Sequence, residues 1–470
     1  MMGTLMKVYK RMPNGVRNVF ASGYGYMMRA QRYGPETRQM AREALDREAW
    51  SARQWQEYQQ PRLAQLLDHA AKTVPYYREY WRARRAKGDN SSHLELSNWP
   101  VLTKEVLRER SQEFVSDSKT TRKLYAASTS GSSGTPLTTW KSKEAIGKWY
   151  ALVEARWRNW YGVDVDTRWA IFGGKVVTPF EQLRPPFWVW NQGLNQVYMS
   201  TFHLKPHNVR HYLQALEKYR VRYLYGYASS LHFLATQALE QGLKPPQMKV
   251  VLSNAEPLHD YQRESIGKAF GCPVRDTYGM AEEVAAASEC EAGNMHLWPE
   301  VGVLEVLADD ADEPVPAGED GRLVCTSWLN PDMPLIRYEV GDRGALSTAD
   351  ACSCGRSMPR LERIVGRISD NLVTRDGRRV FYIYPVFFGL AIREAQIVQD
   401  VLDVLRVRVV PDPDYSVKDA DLITKRLQER LGDVRIDIEL VDEIERGPNG
   451  KFRAVICNVD PESEAVVAPV

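Results

Sequence analysis

The sequence has little cysteine, almost no net charge and no long apolar run. Its six cysteines (Cys272, Cys290, Cys325, Cys352, Cys354 and Cys457) in 470 residues are too few and too unevenly spaced for a secreted disulfide scaffold. Lys and Arg total 62 against 60 Asp and Glu, a net charge of +2, which argues against a general nucleic-acid binder with its strongly basic domain. No stretch approaches the roughly 20 apolar residues of a membrane span, so no transmembrane segment is expected. The first residues, MMGTLMKVYKRMPNGVRNVF, have no apolar core and no small-residue cleavage site, so no secretory signal is expected. Together these absences predict a cytoplasmic chain with reduced thiols. There is no internal repeat, no low-complexity tract, no GxSxG elbow and no HExxH helix.

What is present is an ordinary globular composition, 44% hydrophobic and 26% charged. Residues 1–40 hold seven Lys or Arg and one acid, Glu36. They read as an arm packed on its own domain, with a membrane-surface contact as the lesser reading. Residues 43–88 and 144–161 carry apolar side chains at helical spacing. From 205 the pattern alternates: helix 206–219, strand 222–227, helix 229–241, strand 248–252, helix 258–270, strand 273–277. That alternation predicts right-handed crossovers and a largely parallel sheet covered on both faces. Strands at 301–307 and 321–326, joined by an acidic turn, predict an antiparallel, barrel-like subregion. Strand 405–410, helix 416–431 and strand 435–441 predict a small separate α+β unit.

The segment STSGSSGTPL, 128–137, packs six hydroxyl side chains and two glycines into ten residues. Glycines let backbone approach a ligand, and successive N–H groups form an anion-binding nest. A Ser/Gly-rich surface linker is the alternative. The Lys of a Walker loop is absent. Further on, SNAEPL (253–258) and TYGMAE (277–282) each follow an expected strand, at the sheet edge where open α/β folds bind ligands. YEVGDR (338–343), IVGRISD (364–370) and GPNGKFR (447–453) complete an ordered set of six. Taken singly, each has a plainer reading: a buried aromatic at Tyr278, a helix-start acid at Glu282, a turn at Gly341–Asp342, an exposed turn lysine at Lys451.

In this ordered set, with VPYYR at 74–78, the sequence resembles the acyl-adenylate-forming ligases of the phenylacetate–CoA ligase type, in the branch with capsular-polysaccharide homologues. The resemblance runs from about 40 to 460. It implies an α/β fold: a large N-terminal adenylate-forming domain (1–367) with parallel sheets and a barrel-like subregion, plus a small mobile α+β domain (368–470) carrying the catalytic lysine. It implies an ATP-dependent, AMP-forming ligase that needs Mg2+. A carboxylic acid is converted to an acyl-AMP, and the acyl group passes to a CoA or pantetheine thiol. The alternative acceptor is an amine, giving an amide in polysaccharide or secondary-metabolite biosynthesis. A degenerate, non-catalytic nucleotide-binding scaffold is the third reading.

Residue by residue, the resemblance assigns ATP or AMP binding to Ser128, Thr129, Ser130, Gly131, Ser132, Ser133, Gly134 and Thr135. It assigns adenine contacts to Ala255 and Glu256, a place along the adenine or the acyl group to Tyr278, ATP or AMP binding to Gly279, and ribose contacts to Asp342 and Arg367. Glu282 would hold Mg2+, one carboxylate beside substrate phosphates being the usual magnesium arrangement. Lys451 would bridge the carboxylate and α-phosphate, a compact ammonium on a long stem. Tyr225, Gly226 and Tyr227 would line the acid pocket, and the aromatics from Phe172 to Tyr198 suit either such a pocket or core packing. The pivot position of the family is an acid or Lys; here it is Ser369, followed by Asp370, and the next loop, with Gly377, reads one residue longer. That departure keeps the amine acceptor open. Homodimerisation occurs in the family and is left open by this sequence.

Cys290, His296, Cys352 and Cys354 offer three thiolates and one imidazole, a set that suits tetrahedral zinc, although the spacing is not that of a zinc finger. Buried thiols with an ordinary His are the alternative. Some family members carry a Cys/His zinc cluster between these motifs, so the resemblance implies structural zinc. His203, His207 and His211 read as polar surface, and Cys272, Cys325 and Cys457 as small core residues.

Overall fold

A computed structural model describes residue 9 and residues 12–128, 137–349, 351–367, 371–375, 379–380, 383–447 and 450–459. The chain divides into two compact units, Met1–Val340 with Ala345–Arg363, and Gly341–Gly344 with Ile364–Val470.

The first unit opens with helices Asn14–Arg32, Pro35–Asp46, Ala52–Thr73 and Pro75–Ala86. Ser51 and Gln54 form a capping box at the third, and Pro75 sits in the first turn of the fourth, where its missing N–H costs nothing. The strands follow in order: β1 Tyr125–Ser128, β2 Thr138–Lys141, β3 Trp169–Gly173, β4 Trp188–Asn191, β5 Gln196–Ser200, β6 Tyr223–Gly226, β7 Val250–Asn254, β8 Val274–Gly279, β9 Ala286–Glu289, β10 Met295–Leu297, β11 Gly302–Leu307, β12 Gly321–Ser327, β13 Leu335–Leu346 and β14 Arg360–Arg367.

The alternation expected from 205 onward is present. Helices Val209–Lys218, Ala228–Glu240 and Asp260–Phe270 separate β5, β6, β7 and β8. β5, β3, β6, β7 and β8 pair parallel in that order, with β4 antiparallel at the edge. Their apolar runs bury Ala170, Phe172, Val197, Leu224 and Val251 against Leu216, Leu231, Leu234 and Ile266 of the helices. A strand covered on both faces needs such a run rather than alternation. The antiparallel strands expected as a barrel-like subregion continue the same sheet: the order is β11-β12-β13-β14-β10-β9-β8-β7-β6-β3-β5-β4. The helix expected over 144–161 stops at Arg156 (Lys143–Arg156), and Asn159–Tyr161 is a separate 3-10 turn closed by Gly162 at φ 69°. Residues 14–32, read as an arm, form a helix packed against β4.

The second unit holds β15 Leu372–Val373, β16 Arg379–Val380, β17 Ile392–Val401, β18 Val404–Pro411, helix Val417–Leu431, β19 Arg435–Leu440 and β20 Val455–Cys457. Its sheet order is β19-β18-β17-β20. Leu405, Val407 and Val409 alternate into a core with Ile397, Ile423 and Leu427, while Arg406 and Arg408 point outward. Ser416 and Asp419 cap the helix reciprocally.

Candidate active site and cysteine–histidine centre

Three of the motifs sit at the carboxyl ends of adjacent parallel strands. In register, Gly226 of β6 faces Ser253 of β7, and Ser253 faces Asp276 of β8. Asn254 Nδ2 donates to Tyr225 Oη at 2.9 Å, so the expected acid-pocket strand and the SNAEPL strand are tied at their tips. Gly226 is required here: a Cβ would lie 2.6 Å from Phe172 O on β3.

Directly after β7 the chain turns through Ala255 at φ 62°, and after TYGMAE through Glu283 at φ 59°. Left-handed backbone at a residue with a Cβ costs about 1–2 kcal/mol, and such strain gathers at functional sites. The first turn aims Glu256 at the start of helix Ala228–Glu240, where its Oε2 accepts the Ser229 N–H at 2.9 Å. A carboxylate at a helix N-terminus is favoured by the exposed amides and the dipole. Burial, helped by Glu256, pushes the Tyr227 hydroxyl up to about 12, and that hydroxyl accepts the Gly174 N–H at 3.1 Å.

Tyr278 is buried on β8. A Cβ on Gly279 would lie 3.4 Å from the ring of Trp157, whose own ring centroid is 6.0 Å from that of Tyr225. Glu282 Oε1 accepts the Tyr338 hydroxyl at 2.8 Å. Burial, then the neighbouring Glu282 charge, raises the Tyr338 hydroxyl well above its ordinary value, so it stays a donor. Beside it, Lys141 Nζ reaches Ala281 O at 2.7 Å and Glu283 at 2.8 Å. Burial raises the Glu283 carboxyl, with Lys141 pulling the other way. One step earlier on β8, burial and the nearby Glu289 lift Asp276 to about 7. Glu289 is itself held by two 3.0 Å contacts from Arg263.

Sequence reasoning did not find Lys141, Trp157 or Tyr338. Tyr338 is the first letter of a motif read for its acid. Lys141 lies at the end of a short strand with nothing local to mark it. Thr129, Ser130, Gly131, Ser132, Ser133, Gly134 and Thr135, expected to hold phosphates, lie outside the described residues, as do Ser369, Asp370 and Gly377 and the side chains of Ser128 and Arg367.

In the second unit, Asp342 is half-buried in β13. Lys451 leaves a turn closed by Gly447 N–H to Lys451 O at 3.0 Å and Gly450 N–H to Gly447 O at 2.8 Å, with Gly450 at φ 71°. The turn is anchored to β17: Arg446 pairs with Glu394, and Gln396 donates to Arg453 O at 2.8 Å.

The four zinc candidates come together in the first unit. Cys290, His296, Cys352 and Cys354 place their ligand atoms within 4.8 Å of one another, the only such cluster among the described residues. Cys290 Sγ and Cys352 Sγ are 3.8 Å apart; Cys354 Sγ and His296 Nε2 are 3.4 Å apart. A tetrahedral ion with metal–sulfur bonds of about 2.3 Å has sulfur–sulfur edges of about 3.8 Å, the separation of Cys290 and Cys352, so the set fits zinc with at most a small contraction. Two tight turns build it. Gly293 N–H bonds to Cys290 O at 3.0 Å and Gly355 N–H to Cys352 O at 2.9 Å, with φ 81° and 84° at the two glycines. His296 Nδ1 lies 3.3 Å from Met358 O, which selects the tautomer that leaves Nε2 free to ligate. Burial pushes the His296 imidazole down to about 4, so it is neutral, the ligating form. His203 contacts Ser200 Oγ and Pro179 O and is buried rather than surface, a structural histidine. Cys325 is buried as expected, but Cys272 and Cys457 are only partly so; Cys457 Sγ reaches Gln399 Oε1.

Strand-edge motifs beside an open parallel sheet, followed by a small lysine-bearing unit, define the class as an adenylate-forming enzyme. The comparisons narrow it. Residues 57–327 match the AMP-binding enzyme family and 372–458 the CapK C-terminal domain. The chain belongs to the AMP-binding enzymes, in the phenylacetate–CoA ligase-like and CapK branch, and is an AMP-forming acid ligase. It is 26% identical over 416 residues to Protein CapK of Staphylococcus aureus, covering 86% of this chain and 89% of that one. It is 26% identical over 339 residues to a phenylacetate-coenzyme A ligase of Pseudomonas putida, covering 69% and 73%. Among solved structures, 2-hydroxyisobutyryl-CoA ligase in the postadenylation state with 2-HIB-AMP is similar in fold, with TM-score 0.67, 23% identity and coverage of 89% and 92%. No described helix is long and apolar enough to cross a membrane.

Proposed function

We propose that the protein activates a small carboxylic acid with ATP and passes the acyl group to a CoA or pantetheine thiol. The observation that carries this reading is the convergence of the SNAEPL, TYGMAE and YEVGDR segments: Thr277 Oγ1 donates to Ser253 O at 2.7 Å, and Tyr338 Oη donates to Glu282 Oε1 at 2.8 Å. In the first step an acid oxygen bonds to the α-phosphorus and the bond to pyrophosphate breaks. In the second a thiolate attacks the acyl carbon, and AMP leaves with the former acid oxygen. Catalysis is positioning and charge stabilisation.

In this reading Ala255, Glu256, Tyr278 and Gly279 form the adenine side, Asp342 and Arg367 hold ribose, and the 128–135 segment cradles phosphates. Glu282, steered by Tyr338, holds Mg2+, which neutralises phosphate charge. Lys451 meets the charge that develops between acid and α-phosphate. Tyr225, Gly226 and Tyr227 line the acid pocket, where aromatic walls favour a planar acid. The functional boundary falls at 367/368. Cys290, His296, Cys352 and Cys354 hold a structural zinc: with four protein ligands no position is left open for catalysis. Six free cysteines fit a cytoplasmic setting.

Transfer to an amine is the second reading, favoured by Ser369 at the pivot position. AMP release measured with one activated acid separates the two. Dependence on CoA supports the thiol acceptor. Release that ignores CoA and follows an amine overturns it.

A further inference from the structure

The N-terminal helix Asn14–Arg32 is amphipathic with its faces reversed. Its polar stripe faces the protein. Asn14 Nδ2 donates to Trp188 O at 2.8 Å, Asn18 Oδ1 accepts the Trp190 N–H at 2.9 Å, and Ser22 Oγ accepts the Gln192 N–H at 3.1 Å. Spaced four residues apart, these side chains satisfy the open edge of β4, the last strand of the sheet. Covering a sheet edge in this way blocks edge-to-edge pairing. The approach is close: a Cβ on Gly193 would lie 2.2 Å from Tyr26 N. Arg17, on the flank, is buried and bonds to Val177 O and Gln182 Oε1.

The opposite face is apolar and exposed. Val19 is 71% exposed, Met27 59%, Phe20 55%, Tyr24 and Tyr26 53% each and Val16 41%. At about 100° per residue these six fill one continuous sector of roughly 160° that contains no charged side chain. Isolated surface apolar residues need no explanation, but a continuous sector marks an interaction surface. Edge-capping needs only the polar stripe, so nothing in the fold requires the outer face to be apolar.

Charge identifies the occupant. The eleven residues before Met12, MMGTLMKVYKR, carry Lys7, Lys10 and Arg11 and no acid. Within the helix Arg29 is neutralised by Asp166, and Arg17 is buried. The sequence that leads into this helix is thus cationic. A second copy would bring a second set of the same cations, whereas an anionic lipid surface complements them. Tyrosine rings, apolar with a polar tip, suit the headgroup boundary.

We infer that this helix docks the enzyme on an anionic bilayer surface, lying in the plane with Val16, Val19, Phe20, Tyr24, Tyr26 and Met27 in the interface. The helix is about 28 Å long and would bury its apolar face by about 5–10 Å. The catalytic unit then sits at the membrane with the β4 edge of its sheet toward the lipid.

The test is flotation of the full-length protein with phosphatidylcholine vesicles, with and without phosphatidylserine. The wild type is expected to float with the phosphatidylserine vesicles and to be released by salt. Phe20→Glu/Met27→Glu is expected to lower the bound fraction at least about tenfold with an unchanged melting temperature. Val19→Ser/Met27→Ser, which adds no charge, is expected to fall in the same direction by less. A wild type that stays at the bottom of the gradient overturns the inference. So does equal flotation with phosphatidylcholine alone, which removes the anionic requirement. A wild-type dimer in light scattering that becomes a monomer on Phe20→Glu assigns the face to a second copy and overturns it as well.

Discussion

The hydroxyl of Tyr338 donates to Oε1 of Glu282 at 2.8 Å, joining two motifs 56 residues apart in the chain. The bond orients the carboxylate that the proposed mechanism gives to Mg2+. Tyr338→Phe keeps the ring and removes the donor. The expected result is a higher Mg2+ requirement for the first half-reaction and a rate loss of about tenfold. The accompanying stability loss is about 1 kcal/mol, the usual net worth of one hydrogen bond. A Mg2+ titration of wild type and variant, with their melting curves, checks this.

Lys141 is a structural partner of the same turn. Its side chain is 6% exposed and that of Glu283 19%. Lys141→Met leaves a buried carboxylate without its cation, which costs about 3 kcal/mol. Adding Glu283→Gln removes the orphaned charge and is expected to recover part of the loss. Denaturant unfolding of the two single variants and the double variant gives the coupling.

Much of this arrangement was legible in the sequence, for a physical reason. The Pro206–Phe270 region alternates between two periods, and its Gly242 and Gly271 sit at helix ends with φ 63° and 61°. Period and punctuation are local, so the parallel sheet could be read. TYGMAE was expected to follow a strand over 273–277; the strand runs on through Thr277, Tyr278 and Gly279, so the motif begins on its last residues. What escaped is non-local. Lys141 meets Glu283 across 142 positions, and Trp157 reaches Gly279 only because the helix from Lys143 ends at Arg156. Residues 14–32 were read as packed on their own domain but not as a helix, because Asn14–Arg32 buries polar side chains and exposes apolar ones, the reverse of the usual pattern. The continuity of β11–β14 with the parallel strands depends on pairings between distant segments, which spacing alone does not report.

The zinc assignment predicts about one zinc per chain by metal analysis. Cys352→Ser is expected to lose the ion and lower the melting temperature. The thiols of Cys290 and Cys354 should then react with a thiol reagent that leaves them untouched in the wild type. Metal-free wild-type protein with full stability contradicts the assignment.

Acid should destabilise the first unit through His232. Burial, with a contribution from His259, pushes its imidazole down to about 4 from 6.5, and Nδ1 lies 2.7 Å from Ser265 Oγ. The folded chain holds the neutral ring and the unfolded chain takes up the proton. The stabilisation is therefore whole above pH 6.5 and is lost as pH falls from there toward about 4. His232→Gln cannot titrate, so its melting temperature should fall less than the wild type's between neutral and acid pH. Equal falls contradict the buried-histidine account.

The central claim is adenylation, and ATP–pyrophosphate exchange over a panel of carboxylic acids tests it most directly. Exchange reads the first half-reaction alone and presupposes neither thiol nor amine. The account predicts acid-dependent exchange by the wild type that falls at least about a hundredfold in Lys451→Ala. Exchange that persists undiminished in Lys451→Ala, or ATP binding with no exchange for any acid, contradicts it.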